Sequence, residues 1–265
     1  MADKLRIMST RIKRLILDES FRAHVGHIGC SLSIADILSV LYGDFLSIPS
    51  PTSEKRDHFI LSKGHAALGL YCALHLKGFI TNKQLSTYHT DDSHIATHPE
   101  FGVPGIELMT GSLGQGLGVG VGIALAKKLK NLKTKTVVLL SDAECNEGSI
   151  WEAVAFCSHH KLNIIAVIDL NGQQGFGYTK DVLDMSPLKE KWKTFGWETY
   201  ECDGHNLTDL RKVLNTMERK TGPRVLLART KLGHGVSFME GKVDWHYMPL
   251  SLEQYSQAVE EINHA

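Results

Sequence analysis

Two strand ends in this sequence carry residues able to hold a hard cation. The segment VVLLSDAECNEGSIWEA, residues 137–153, reads as a buried strand that ends in Asp142 and opens into a helix near Ile150. Twenty-nine positions after Asp142, the segment NIIAVIDLNGQQGFG closes a second strand with Asp169 and Asn171. Ligands of open α/β sheets bind beyond the carboxyl ends of the strands, so two adjacent parallel strands would bring Asp142 and Asn171 to one edge. A carboxylate and an amide oxygen, completed by a phosphate, are ligands that magnesium accepts. Each strand end alone has a plainer reading, Asp142 as a helix N-cap and LNG as a turn. The pair at this spacing is the stronger signal.

A second feature is the run TGSLGQGLGVGVGIALAKKLK, residues 110–130, in which glycines crowd the start of a helix. A helix N-terminus that a ligand can approach closely is a natural anion site. The dinucleotide fingerprint fails, because its third glycine falls on Val119 or Val121. Tight packing of the helix on a neighbour explains the glycines equally well. The long loop SHIATHPEFGVPGIE before them, residues 93–107, favours function.

Other reactive types read as structural. His94 and His98 have helical spacing for zinc, but Pro99 and the preceding DDS make the segment a loop. His159 and His160 end a helix, where a positive charge suits the dipole. Cys145 lies between acids that raise a thiol pKa, which argues against a nucleophile.

These residues need a parallel sheet to position them. Short, nearly continuous apolar runs at 59–61, 136–140, 164–168 and 225–228, with a weaker one at 198–202, read as strands buried on both faces. Helical patterns at 1–17, 33–42, 66–76, 113–129, 150–160, 187–195, 207–220 and 252–262 alternate with them. This order predicts a doubly wound α/β fold, mostly parallel, with helices on both faces. Within 265 residues there is no linker, repeat or charge block that would divide the chain, so one domain over 1–265 is expected.

Composition narrows the partners. Twenty-nine basic and 29 acidic side chains cancel, removing the global field on which nucleic-acid or anionic-membrane binding relies. The longest apolar run, 117–126, is too short to span a bilayer, and the amphipathic N-terminus is no signal peptide. Five cysteines without C-x-x-C spacing fit a reducing cytoplasm.

The motifs together resemble the transketolase family. Its thiamine diphosphate motif, a Gly-Asp-Gly, a Glu five positions after the Asp, a Trp-Glu-Ala and a later Asn, is matched by Ser141-Asp142-Ala143, Glu147, Trp151-Glu152-Ala153 and Asn171. GHIGCSLS from Gly26, LSKGHA from Leu61, HPE from His98, TGSLGQG from Thr110, DGHN from Asp203 and GVSFMEG with WH up to His246 follow in order along the whole chain. The resemblance implies that Asp142, Asn171 and the backbone carbonyl of Gln173 bind Mg2+, or Ca2+ or Mn2+ in its place. It implies that His65, Gly111, Ser112, Leu113, Ala143 and His246 contact thiamine diphosphate. His27 and His98 would line the channel for the donor sugar, and Glu147 would be a relay carboxylate between paired active sites.

The sequence departs from the family at Ser141 and Ala143, which replace glycines, at Tyr247, which replaces the usual Gly, and at His234, which replaces the usual Lys. His246 therefore stays open between a cofactor contact and a loop histidine at a subunit surface. Only the diphosphate-binding half of the family is matched. The resemblance thus implies a separate C-terminal subunit bearing the pyrimidine domain, a heterotetramer, and ketol transfer between sugars or sugar phosphates. Two other readings stand beside it: the decarboxylating subunit of a 2-oxo-acid dehydrogenase complex, and a catalytically silent binding or regulatory subunit.

Overall fold

The computed structural model describes residues 2–264. The chain runs α1 (Ala2–Ala23), α2 (Ile28–Ser33), α3 (Ala35–Val40), β1 (His58–Leu61), α4 (Ala67–Leu76), α5 (Asn82–Leu85), α6 (Gln115–Leu129), β2 (Thr136–Ser141), α7 (Gly148–His159) and β3 (Ile164–Leu170). It continues through β4 (Gln173–Gln174), β5 (Gly177–Tyr178), α8 (Thr179–Leu183), α9 (Leu188–Thr194), β6 (Glu198–Asp203), α10 (Leu207–Glu218), β7 (Pro223–Arg229) and α11 (Leu252–His264).

Five strands form one sheet in the order β1–β2–β3–β7–β6, with every neighbouring pair parallel. Successive side chains of a strand point to opposite faces, and here both faces are covered. Val137 and Leu139 of β2 join the core formed with α1, α3, α4, α10 and α11, whereas Val138 and Leu140 join the core formed with α6, α7 and Trp192 of α9. This double burial explains why the strands show unbroken apolar runs. The short β4–β5 hairpin is antiparallel and stands apart. None of the described helices is long and apolar enough to cross a membrane.

All five expected strands are present. The helix expected at 33–42 is instead divided: α2 begins at Ile28, the chain breaks at Ile34 (φ −103°, ψ 2°), and α3 runs into a π-turn at Leu41–Phe45. Every residue of α2 is buried, so it lacks the polar face that would mark it as a helix in the sequence. Helix α1 continues past residue 17 because Ser20 is buried and donates to the Val25 carbonyl, closing its last turn.

Glycine decides how closely α6 lies on the sheet. A Cβ on Gly120 would sit 2.4 Å from Val138 Cγ2, while Gly118 and Gly122 have nothing within 4 Å. Gly120→Ala is expected to destabilise the chain by about 1–3 kcal/mol through overpacking. Gly122→Ala should be neutral or stabilising by up to about 1 kcal/mol through helix propensity. Urea unfolding of the two variants checks this, and equal effects would refute the assigned helix face.

Candidate active site

The loops after β1, β2, β3 and β7 meet at the carboxyl end of the sheet. Lys63, directly beyond β1, is buried and its ammonium donates to Asp169 near the end of β3. Asp169 also accepts from Ser33 Oγ at 2.6 Å, from Thr230 Oγ1 and from Asn171 Nδ2 at 2.9 Å. Burial works against the Lys63 charge, and Asp169 outweighs it. The amide orientation of Asn171 follows from this network: Nδ2 faces Asp169, and Oδ1 turns toward the Gln173 N–H at 2.9 Å.

A second buried carboxylate belongs to Glu144, which is fully buried. It accepts from Ser62 Oγ at 2.5 Å, from the Gly114 N–H at 2.9 Å and from the Ser141 N–H at 2.9 Å. One side chain therefore ties the ends of β1 and β2 to the start of α6. The anion expected at the N-terminus of that helix is met by the chain's own carboxylate. In the sequence Glu144 looks like one more acid in a loop, because its three donors come from segments far apart in the chain.

Asp142 is the third buried carboxylate. Its Oδ1 accepts from the Ala143 N–H at 3.0 Å, and Oδ2 accepts from the Gly172 N–H at 2.9 Å and Thr179 Oγ1 at 3.2 Å. It caps a 3-10 turn (Ala143–Asn146), and α7 starts only at Gly148. Burial, with Asp169 close by, pushes the Asp142 carboxyl up to about 7. Asp142, Glu144 and Asp169 are buried with one ammonium, Lys63, and burial raises the carboxyls of Asp142 and Glu144, so the cluster holds more acids than its own cation can match. A divalent cation fits that balance, and oxygen donors are its preferred ligands. Asp142 and Asn171 line one cavity of about 320 Å³ together with Gly172 and Thr179. Gln173 is buried in β4, and its side-chain amide holds the Gly241 carbonyl.

Four histidines gather beside the end of β1. Ring centroids lie 5.6 Å apart for His27 and His65, 6.4 Å for His27 and His98, 5.0 Å for His27 and His246, and 5.2 Å for His65 and His246. The structure thus takes His246 out of the surface loop and into the cluster. Burial, helped by His98 and Lys63, lowers the basicity of His27, and burial chiefly does so for His98; it drives His65 well below its ordinary range. His246 is brought to about 4 by burial, His27 and Lys63. These shifts favour the neutral imidazole, which offers one ring nitrogen as a hydrogen-bond acceptor and the other as a donor.

The remaining expected residues flank the cluster. Gly111 abuts His98, since a Cβ there would lie 3.3 Å from its Cδ2. Gly64 lets the β1 loop press on this segment, a Cβ at that position falling 2.6 Å from the Thr110 carbonyl oxygen. Ser112 is exposed and Leu113 half-buried. Glu147 stands exposed at the N-cap of α7, and no hydrogen bond among the described residues links it to the histidines.

His234 stacks on His205 with centroids 3.5 Å apart, and burial brings it to about 4. The unfolded chain therefore takes up this proton near pH 6.5 and the folded chain only near 4, so stability is lost as pH falls through that window. Relative to wild type, His234→Asn should gain stability from pH 6.5 down to 4. Thermal melts at both ends of the window check this, and a pH-independent difference would rule it out.

Residues 4–263 match the family described as "Transketolase, thiamine diphosphate binding domain". The chain belongs to the transketolase family. It is 37% identical over 265 residues to one of the subunits of apulose-4-phosphate transketolase from Phocaeicola vulgatus, covering 98% of this chain and 94% of that protein. It is 38% identical over 256 residues to 6-deoxy-6-sulfo-D-fructose transketolase subunit SqwG of Clostridium sp., covering 95% and 93%. The crystal structure of transketolase from Campylobacter jejuni superposes with a TM-score of 0.93 at 32% identity, over 98% of this chain and 43% of that one. The fold is thus the transketolase thiamine diphosphate-binding fold, and the chain spans less than half of that transketolase chain.

Proposed function

We propose that this chain is the diphosphate-binding subunit of a two-component transketolase, moving a two-carbon ketol unit from a ketose or ketose-phosphate donor to an aldose acceptor. The observation that carries this reading is the pattern of coverage. The match extends over 93–94% of two relatives named as transketolase subunits and over only 43% of a transketolase chain. Its partner is a second chain bearing the pyrimidine domain, assembled as a heterotetramer. Five free cysteines suit a reducing cytoplasm.

Asp142, Asn171 Oδ1 and the Gln173 carbonyl are the ligands proposed for Mg2+, with His65, the 111–113 backbone and Ala143 N–H beside the cofactor. When bound, thiamine diphosphate supplies the electron sink that lets a carbon–carbon bond next to a ketone break and re-form. The chain's own task is positioning and proton handling. Lys63 and Asp169 hold the Asn171 amide in one orientation. His27, His65, His98 and His246, uncharged and converging, accept and return the proton of a donor hydroxyl. Glu147, exposed at the N-cap of α7, is the residue proposed to reach the partner.

The test is to purify the chain with and without its partner subunit, supply thiamine diphosphate and Mg2+, and assay ketol transfer. Activity is expected only from the pair. Full activity of this chain alone would overturn the proposal, as would a pair that decarboxylates 2-oxo acids or binds no cofactor.

A further inference from the structure

The floor of the histidine cluster has a donor set unlike that of the carboxylate site. His27 precedes α2 in a left-handed conformation (φ 62°), Cys30 lies in the first turn of that helix, and His246 ends the 3-10 turn Val243–His246. Cys30 Sγ is 3.2 Å from His246 Nδ1. One nitrogen or sulfur atom from each of the three residues lies within 4.8 Å of the others. The two histidines are fixed by their backbones, the His27 N–H donating to the His246 carbonyl at 3.1 Å. His27 Nδ1 is buried and has no partner.

We propose that His27, Cys30 and His246 form a second metal site, for a Zn2+-class ion, on the cofactor-free chain. Two imidazoles and a thiolate favour such an ion, whereas carboxylate and amide oxygens favour Mg2+. Zinc bonds of roughly 2.3 Å to sulfur and 2.0 Å to nitrogen put the two atoms about 3.5 Å apart at a tetrahedral angle. The observed separation differs from that by a few tenths of an ångström. His27 and His246 are only partly buried, so an ion can reach the site, and a water completes four-coordination. Cys30 binds as thiolate, and its proton leaves to solvent as the S–metal bond forms. Lys63 is the cation nearest this group, and its charge is matched by Asp169.

The other grouping of this kind among the described residues is closed to an ion. There, His205 Nε2 accepts from the Lys231 N–H at 2.9 Å, so Nδ1 carries the hydrogen it donates to Asp36 Oδ2 at 2.8 Å. The Lys13 ammonium occupies the same carboxylate oxygen at 3.1 Å. At Cys30 no backbone N–H among the described residues takes a ring nitrogen of His27 or His246, and the Lys63 ammonium is bonded to Asp169.

Because His27 and His246 also serve the proposed cofactor cleft, the ion and thiamine diphosphate should exclude one another; this consequence rests on the proposed function. Titrating the isolated chain with Co2+ tests both statements. The expected result is one equivalent bound, with a sulfur-to-cobalt charge-transfer band and the visible bands of four-coordinate Co2+. Cys30→Ala should abolish the charge-transfer band, His246→Asn should weaken binding at least tenfold, and Asp142→Asn should leave the spectrum unchanged. Circular dichroism confirms that each variant is folded. Absence of a thiolate band, or its survival in folded Cys30→Ala, overturns the metal site. Adding thiamine diphosphate with Mg2+ should erase the cobalt spectrum. A Cys30-dependent spectrum that persists would uphold the metal site and defeat the placement of the cofactor there.

Discussion

Lys63→Ala is expected to destabilise the chain by about 3–5 kcal/mol, because it strands Asp169 as an uncompensated buried charge. For a chain of this size that is a fall in Tm on the order of 10 °C. Ser33 Oγ, Thr230 Oγ1 and Asn171 Nδ2 still donate to Asp169, but hydrogen bonds do not replace the lost positive charge. Removing both partners, as in Lys63→Met with Asp169→Leu, should recover much of the loss, since a buried ion pair contributes little net stability over well-packed apolar groups. Urea unfolding of the single and double variants decides the matter. A single-variant loss below about 0.5 kcal/mol, the size of an ordinary surface change, would show that the pair does not organise the strand ends. The double variant, which removes Asp169, takes away the acceptor of Asn171 Nδ2 and frees that amide to turn over, so weaker Mg2+ binding should persist even where stability is recovered.

Asp142→Asn should act in opposite directions on the two properties. Cofactor-dependent Mg2+ binding is expected to fall more than about 100-fold, beyond what loss of an outer-shell partner of a metal ligand produces. The cofactor-free chain should instead become more stable at alkaline pH. Asp142 has its carboxyl raised from 3.8 to about 7, so the folded chain holds a proton that the unfolded chain releases, and stability falls as pH rises through that window. The shift corresponds to roughly 4 kcal/mol at full effect, and Asn removes it while keeping an oxygen for the Gly172 N–H. Denaturation of both proteins at pH 4 and pH 8, with calorimetry of cofactor binding, separates the two effects. A variant less stable than wild type at pH 8, or one that binds cofactor normally, would contradict the assignment.

Features carried by short sequence windows were legible in advance. The five parallel strands betrayed themselves by continuous apolar runs, and Asp142 and Asn171 by their place at two strand ends. Glu144 and Cys30 were not legible as site residues. Glu144 draws its donors from residues 62, 114 and 141, and Cys30 meets His246 across more than two hundred positions. Helix α2 escaped because it is buried on every side, and α5, α8 and the β4–β5 hairpin because they are shorter than the window in which periodicity is visible. The family motifs carried His246 toward the cofactor while Tyr247 pulled it away. The structure sets His246 beside His27 through a backbone bond, which no local pattern encodes.

Glu144 also bears on how the cleft chooses among anions. The amide just before α6, Gly114 N–H at its N-cap, is already taken by an internal carboxylate held by two further donors. Beside it the Lys63 charge is already given to Asp169, so these described residues offer no unpaired cation to an anion that arrives alone. On the proposed function, inorganic phosphate and metal-free nucleotides would thereby be disfavoured, and a diphosphate accompanied by its cation would be admitted. The cation then acts as a password as much as a ligand.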